Sequence, residues 1–234
     1  MENAVHVLKR DTELKALARE QLSGIWGKSA LLTLMYFVIG ILPGQLLLYI
    51  FKASSSTISF VDIILTAPVT IGMAMCYLNL VRGKNFNVLD ILNGFKYFIT
   101  VVVVYGIVDS MNIISLILTD IITMNKGISV FISILFGILS IFLFLMYSMV
   151  YYIILDDPRI GIKGALTSSR KLLHGQIWRL FCLQLSFIGW ILLGVLSAGI
   201  GTLWVFPYIQ VTMANLYLDL KKRETNNRLE IKGL

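Results

Sequence analysis

The chain has very little with which to do chemistry in water. Its 234 residues include two histidines, two cysteines and 14% charged side chains. His6 sits in the N-terminal tail and His174 in a basic stretch, with no cysteine or second histidine near either. That spacing offers no metal ligand set and no Ser/His/Asp arrangement. The sequence therefore predicts no catalytic, cofactor-binding or metal-binding residues, and a protein that is not an enzyme. Cys76 and Cys182 both fall inside apolar stretches, where they read as small apolar fillers rather than a disulfide. Asp156 and Asp157 are adjacent carboxylates, but the following Pro158 makes them a helix-capping signal. Ala198-Gly199-Ile200-Gly201 has no adjoining strand and no lysine, so it is not a nucleotide loop.

What is present is apolar length. Hydrophobic residues make up 57% of the chain, and the mean hydropathy is +0.83. A hydrocarbon core roughly 30 Å thick needs about 20 apolar residues per crossing. Six stretches meet that length, at 29–50, 61–81, 97–122, 128–155, 176–198 and 202–220. They leave no room for a separate soluble domain, so residues 1–234 read as one integral membrane domain. Eighteen of the twenty Lys and Arg residues fall in alternate gaps; Lys52 and Lys126 are the exceptions. Cationic loops stay cytoplasmic, so both termini are expected in the cytoplasm. Because the basic residues flank spans, they mark topology and lipid surface, not nucleic acid. The charged first twenty-eight residues and the long run after them predict an uncleaved first span.

The chain reads as three units, 12–84, 87–156 and 157–223. Each has a short amphipathic segment, at 12–25, 88–95 or 158–174, followed by a span out and a span back. The first segment places Leu14, Leu17, Ala18, Leu22 and Ile25 at helical spacing, with Lys15, Arg19 and Glu20 opposite. Asn87 and Asp157 are the expected caps of the other two. Each segment ends in Leu-x-Gly, at Gly24, Gly94 and Gly175, where glycine permits a turn from the membrane surface into the span. Met73 to Leu80 and Met213 to Leu220 share five of eight residues, each with a proline upstream. The expected fold is all-α: six transmembrane helices in three hairpins, each preceded by a cytoplasmic interfacial helix.

Asp109 lies near the middle of the third span, about 12 residues from each end. A carboxylate there costs at least roughly 2.5–3.5 kcal/mol on insertion scales. Tyr105, Asn112 and Asp120 share its helix face, so the four form a candidate intramembrane polar site. Three readings stay open: a proton or substrate site lining a cavity, a hydrogen-bonded glue between helices, or a local break near Asp109 to Asn112. Gln184, Gln210 and Asn215 are possible partners. Pro43, Pro68 and Pro207 are candidate kinks, all in the outer half of their spans.

Leu14-Lys15-Ala16-Leu17-Ala18 through Leu22-Ser23-Gly24 resembles the opening of the bacterial membrane proteins of domain-of-unknown-function family 975. So do Asp157-Pro158, Ser168-Ser169-Arg170, Ser186 to Trp190, Gly199-Ile200-Gly201 and Trp204 to Tyr208. The resemblance implies a polytopic membrane protein and carries over no catalytic residues. Two functions remain in view. One is a non-enzymatic protein that binds a membrane protein, lipid or membrane-active peptide in an accessory or protective role. The other is a small-solute or ion transporter or channel using the stripe at Asp109. The charge pattern gives a direct test in a background lacking the native cysteines. Ser55→Cys should label from outside and Asn226→Cys only from inside; outside labelling of position 226 contradicts the topology.

Overall fold

The computed structural model describes residues 8–51, 55–121 and 126–231, and among these every regular element is helical. Helix α1 (Asp11–Leu22) is followed by α2 (Trp26–Tyr36), a π turn (Phe37–Ile41) and α3 (Leu42–Phe51). Helix α4 (Ser55–Val81) leads to a 3-10 helix (Val88–Tyr97) that runs directly into α5 (Phe98–Ile121). Then come α6 (Lys126–Tyr147), α7 (Val150–Asp156) and α8 (Gly161–Leu172). The chain ends with α9 (Ile177–Leu185), α10 (Ile188–Leu196) and α11 (Thr202–Ile231).

Five stretches are long and apolar enough to cross a membrane: Trp26–Leu47, Ile63–Val81, Val88–Thr119, Lys126–Asp156 and Ile177–Leu196. The expected sixth, 202–220, lies within α11, which does not reach that apolarity. It carries Pro207, Gln210, Asn215 and Asp219. The fourth and fifth stretches are also less regular than their sequence suggests, because α6 breaks from α7 at Ser148–Met149 and α9 from α10 at Ser186–Phe187.

Burial separates an inner group of helices from an outer one. In the Ile63–Val81 window 67% of residues are buried, against 6% for Lys126–Asp156. The inner group is α2, α4 and α11, which pack on one another. The related stretches Met73–Leu80 and Met213–Leu220 lie here, with Tyr77 and Tyr217 almost fully buried. The outer helices α5 and α6 pack on each other, expose many large apolar side chains and touch the inner group through α4. Cys76 is buried, but Cys182 is exposed on the outer surface of α9.

Each short helix packs against a long one. Helix α1 lies on α11, the 3-10 helix on α4, and α8 on α6 and α7. Their ends differ in a way the shared Leu-x-Gly word does not reveal. Gly24 and Gly175 have φ of +80° and +73°, so both turn the chain through the left-handed region that glycine tolerates. Gly94 does not. Instead, a Cβ on Gly94 would lie 1.9 Å from the Pro68 carbonyl oxygen, and one on Gly72 would lie 1.9 Å from that of Ile91. Here glycine serves backbone-to-backbone contact, as between helices in lipid. Gly72 is about 14 Å along α4 from Val81, at 1.5 Å per residue. The 3-10 helix therefore climbs the side of α4 and passes into α5 without a turn.

Capping also splits. Asn87 accepts from the Leu89 amide and Asp90 accepts from the Asn87 amide, a reciprocal cap. Asp157 instead accepts from the Arg159 amide in a tight turn, and α8 starts only at Gly161. A carboxyl that bonds two residues ahead closes a turn before any helix begins.

The basic end of the bundle is tied by polar contacts between distant segments. Asp156 accepts from Tyr217 Oη at 2.6 Å and pairs with Arg82 and Lys221. The ends of α4 and α7 and residues 217–221 of α11 thus meet on one carboxylate, while Tyr152 stacks on Tyr217 at 5.2 Å. Arg179 donates to Asp11 at 2.8 Å, and the Lys9 amide donates to Asp219 at 2.9 Å. Lys28 donates to the Phe86 carbonyl and lies 4.5 Å over its ring.

The Gly72–Gly94 contact yields a stability prediction. Gly94→Ala should destabilise the protein in detergent by about 1–3 kcal/mol, the range for overpacking. Gly27→Ala, whose Cβ would meet nothing within 4 Å, should melt as wild type. Equal thermal midpoints for the two variants would show that the contact is absent.

Candidate functional site: an aromatic cavity around Asp109

Helix α5 runs unbroken through Asp109, so a local unwinding there is not seen. Asp109, Tyr105 and Asn112 lie on one face of that helix and line a cavity of about 430 Å³. Its other walls come from α2, α4, α6, α7 and α11, which supply Tyr36, Thr70, Ser140, Tyr147, Tyr151 and Gln210 among others. The cavity occupies the space between the inner helices and the α5–α6 hairpin. It is within the size range of small-molecule sites.

Asn112 Nδ2 donates to Asp109 Oδ1 at 2.6 Å. That bond fixes one carboxyl oxygen and leaves the other oxygen's acceptor capacity for the cavity. Six aromatic rings share the lining: Tyr36, Tyr105, Phe144, Tyr147, Tyr151 and Phe206. Ring faces attract cations, and the attraction strengthens when water is excluded. One carboxyl among six rings is chemistry suited to a positively charged or hydrogen-bond-donating group with an apolar body.

The helix irregularities gather at the edge of the same space. Tyr36 immediately precedes the π turn, whose Gly40 carbonyl accepts from Thr66 Oγ1 at 2.9 Å. Pro43 follows that turn by two residues. Thr70 lies two residues beyond Pro68, and Phe206 immediately precedes Pro207. Phe206 stacks on Tyr36 with centroids 5.8 Å apart, which sets α2 and α11 at a common depth. π turns and prolines leave backbone carbonyls without helical partners, and such groups are found where a cavity or neighbour satisfies them.

Of the three partners considered for Asp109, Gln210 lines the cavity. Gln184 points to Met213 Sδ at 3.6 Å, and Asn215 is occupied by Gln21 and the Val211 carbonyl. The side chain of Asp120 lies outside the described residues. Sequence reasoning did not single out Tyr36, Thr70, Ser140 or Tyr147. Each is one mildly polar residue in an apolar run, and only their convergence on Asp109 distinguishes them.

No curated protein and no solved structure matches the chain. A family described as a protein of unknown function (DUF975) matches residues 5–118 and 97–224. Those two stretches span nearly all of the sequence whose helices are described above. The chain belongs to the DUF975 family.

Proposed function

We propose that this protein acts in the bacterial cell membrane by binding rather than by catalysis, and that the cavity at Asp109 receives a cationic group. The ligand is the positively charged part of a small amphiphile or of a membrane-active peptide, consistent with an accessory or protective role. The observation that carries this reading is the placement of Asp109 against a cavity lined by six aromatic rings. A carboxyl that served only as glue between helices would have protein groups on both oxygens, whereas Asn112 engages one.

The topology belongs to the same proposal. Helix α11 is the sixth crossing, an inner one whose polar residues face protein, and both termini are cytoplasmic. Its burial around Val211 to Tyr217 supports this, since a helix shielded from lipid needs no continuous apolar surface. The three-hairpin plan draws support from the short helices. Each packs on the return helix of the unit before it, with α1 on α11 closing the ring. In this reading α1 and α8 lie at the cytoplasmic side, while the 3-10 helix begins there at Val88 and climbs α4 as far as Pro68.

A second reading, transport of a small solute or ion through the same site, is favoured by the π turn and prolines bordering the cavity. Such points are where helices bend. Binding and uptake of tetraphenylphosphonium, a lipophilic cation, separate the two. In nanodiscs the wild-type protein should bind the probe saturably. Asp109→Asn, which keeps size and hydrogen bonding, should weaken binding about tenfold or more, as expected for losing a charge-assisted contact. Asp109→Leu should abolish it, with helicity retained in both variants. Unchanged binding by Asp109→Leu would overturn the site. Concentrative uptake by proteoliposomes, lost in Asp109→Asn, would decide for transport.

A further inference from the structure

We propose that a second cavity, on the other face of α11, holds one anionic phospholipid of the cytoplasmic leaflet, with its phosphate on Arg19. Residues 206 and 210 of α11 face the Asp109 cavity, whereas 204, 205 and 208 face this one, so the two are separate. Its volume is about 450 Å³, and it lies between α2, α10 and α11. Three of the chain's four tryptophans line it: Trp26, Trp190 and Trp204.

The charge demand of this cavity is narrow. Arg19, on α1, also lines it, and its guanidinium has no hydrogen-bond or ion-pair partner among the described residues. By contrast, Arg10, Arg82 and Arg179 are each paired with a carboxylate. Lys15, one turn earlier on α1, is already engaged by Ser186 Oγ and the Phe187 ring. Ser197 is the remaining small polar group, and its hydroxyl donates to the Gly194 carbonyl at 2.6 Å and accepts from the Gly201 amide at 2.8 Å. The walls beyond Arg19 therefore offer apolar and aromatic surface, and the mouth offers one unpaired cation.

That combination fits a single phosphate joined to a long apolar chain. Guanidinium forks match phosphate oxygens in paired hydrogen bonds. Trp26, at the start of α2 and near Arg19 in the sequence, suits the headgroup boundary, while Trp190 and Trp204 line the deeper apolar part. Trp190 and Trp204 are 51% and 44% exposed, so the groove opens sideways, where an acyl chain would enter from the bilayer. A free phosphate would use Arg19 alone and gain nothing from the tryptophans. The site is independent of Asp109; the cytoplasmic orientation of the basic end fixes only which leaflet supplies the lipid.

The test uses the full chain carrying Trp178→Phe, so that all tryptophan emission comes from the three lining residues. It is reconstituted in phosphatidylcholine vesicles doped with acyl-brominated phosphatidylglycerol or acyl-brominated phosphatidylcholine, since bromine quenches nearby tryptophan. Quenching should saturate at a severalfold lower mole fraction of the anionic lipid. Arg19→Gln should raise that mole fraction about tenfold, the loss expected when a charged hydrogen-bonding partner is removed. It should leave quenching by phosphatidylcholine unchanged. Arg19→Lys should keep most of the preference, and inorganic phosphate should not reverse it. Equal quenching by the two lipids, or an unshifted Arg19→Gln, overturns the proposal. So does relief of the preference by inorganic phosphate, which would make the occupant a free anion.

Discussion

As the proposed sixth crossing, α11 must turn Gln210, Asn215 and Asp219 away from lipid, and the inner helices pack around it accordingly. Helix α11 meets it by packing against α1, α2 and α4 at once. Asn215 is held by Gln21 of α1, Asp219 by the Lys9 amide, and Tyr217 by Asp156 at the end of α7. Hydrophobic burial offers little drive between helices already in lipid, so close packing and such hydrogen bonds take over. The first and last helices are joined by this arrangement, which places Lys9 and α1 beside residues 215–219 of α11.

The same constraint shapes the two cavities. Helices α2, α4 and α11 form a tight inner set, while the α5–α6 hairpin leans on α4 and leaves room on its inner side. Asp109 faces that room together with Asn112 and six aromatic rings. On the other face of α11 the short α10 leaves a groove walled by tryptophans, with Arg19 reaching its mouth. One cavity presents a carboxyl and the other a guanidinium. Opposite charges at separate places in an apolar protein match ligands of opposite sign, a cationic guest at the first and an anionic lipid at the second.

Five helical stretches long and apolar enough to cross a membrane were legible from apolar length alone, because bilayer thickness leaves few alternatives. Gly24 and Gly175 were legible as turns, since a glycine after an amphipathic helix has a simple backbone reason. Gly94 was not. The same three-residue word covers two physical causes, a left-handed turn and a close helix contact, and only the neighbour at Pro68 tells them apart. Asp157-Pro158 misled in a similar way, for a carboxyl before proline suits a turn as well as a cap. Asp109, Tyr105 and Asn112 could be grouped because helical spacing puts them on one face of a single helix. Their partners Tyr36, Thr70, Ser140 and Tyr151 come from other helices, where no short-range pattern marks them.

The central claim is that Asp109 faces an accessible cavity that attracts cations, and cysteine reactivity tests it most directly. Ser140 lines the cavity from α6, whereas Ile138 on the same helix is 61% exposed on the outer surface. In membranes, with Cys76 and Cys182 replaced, Ser140→Cys should react with a cationic thiosulfonate faster than with an anionic one of similar size. Ile138→Cys, facing lipid, should react with neither, and Asp109→Asn should remove the charge preference at position 140. If position 140 is as inert as position 138, or reacts without regard to charge, the cavity is not the cation site described here.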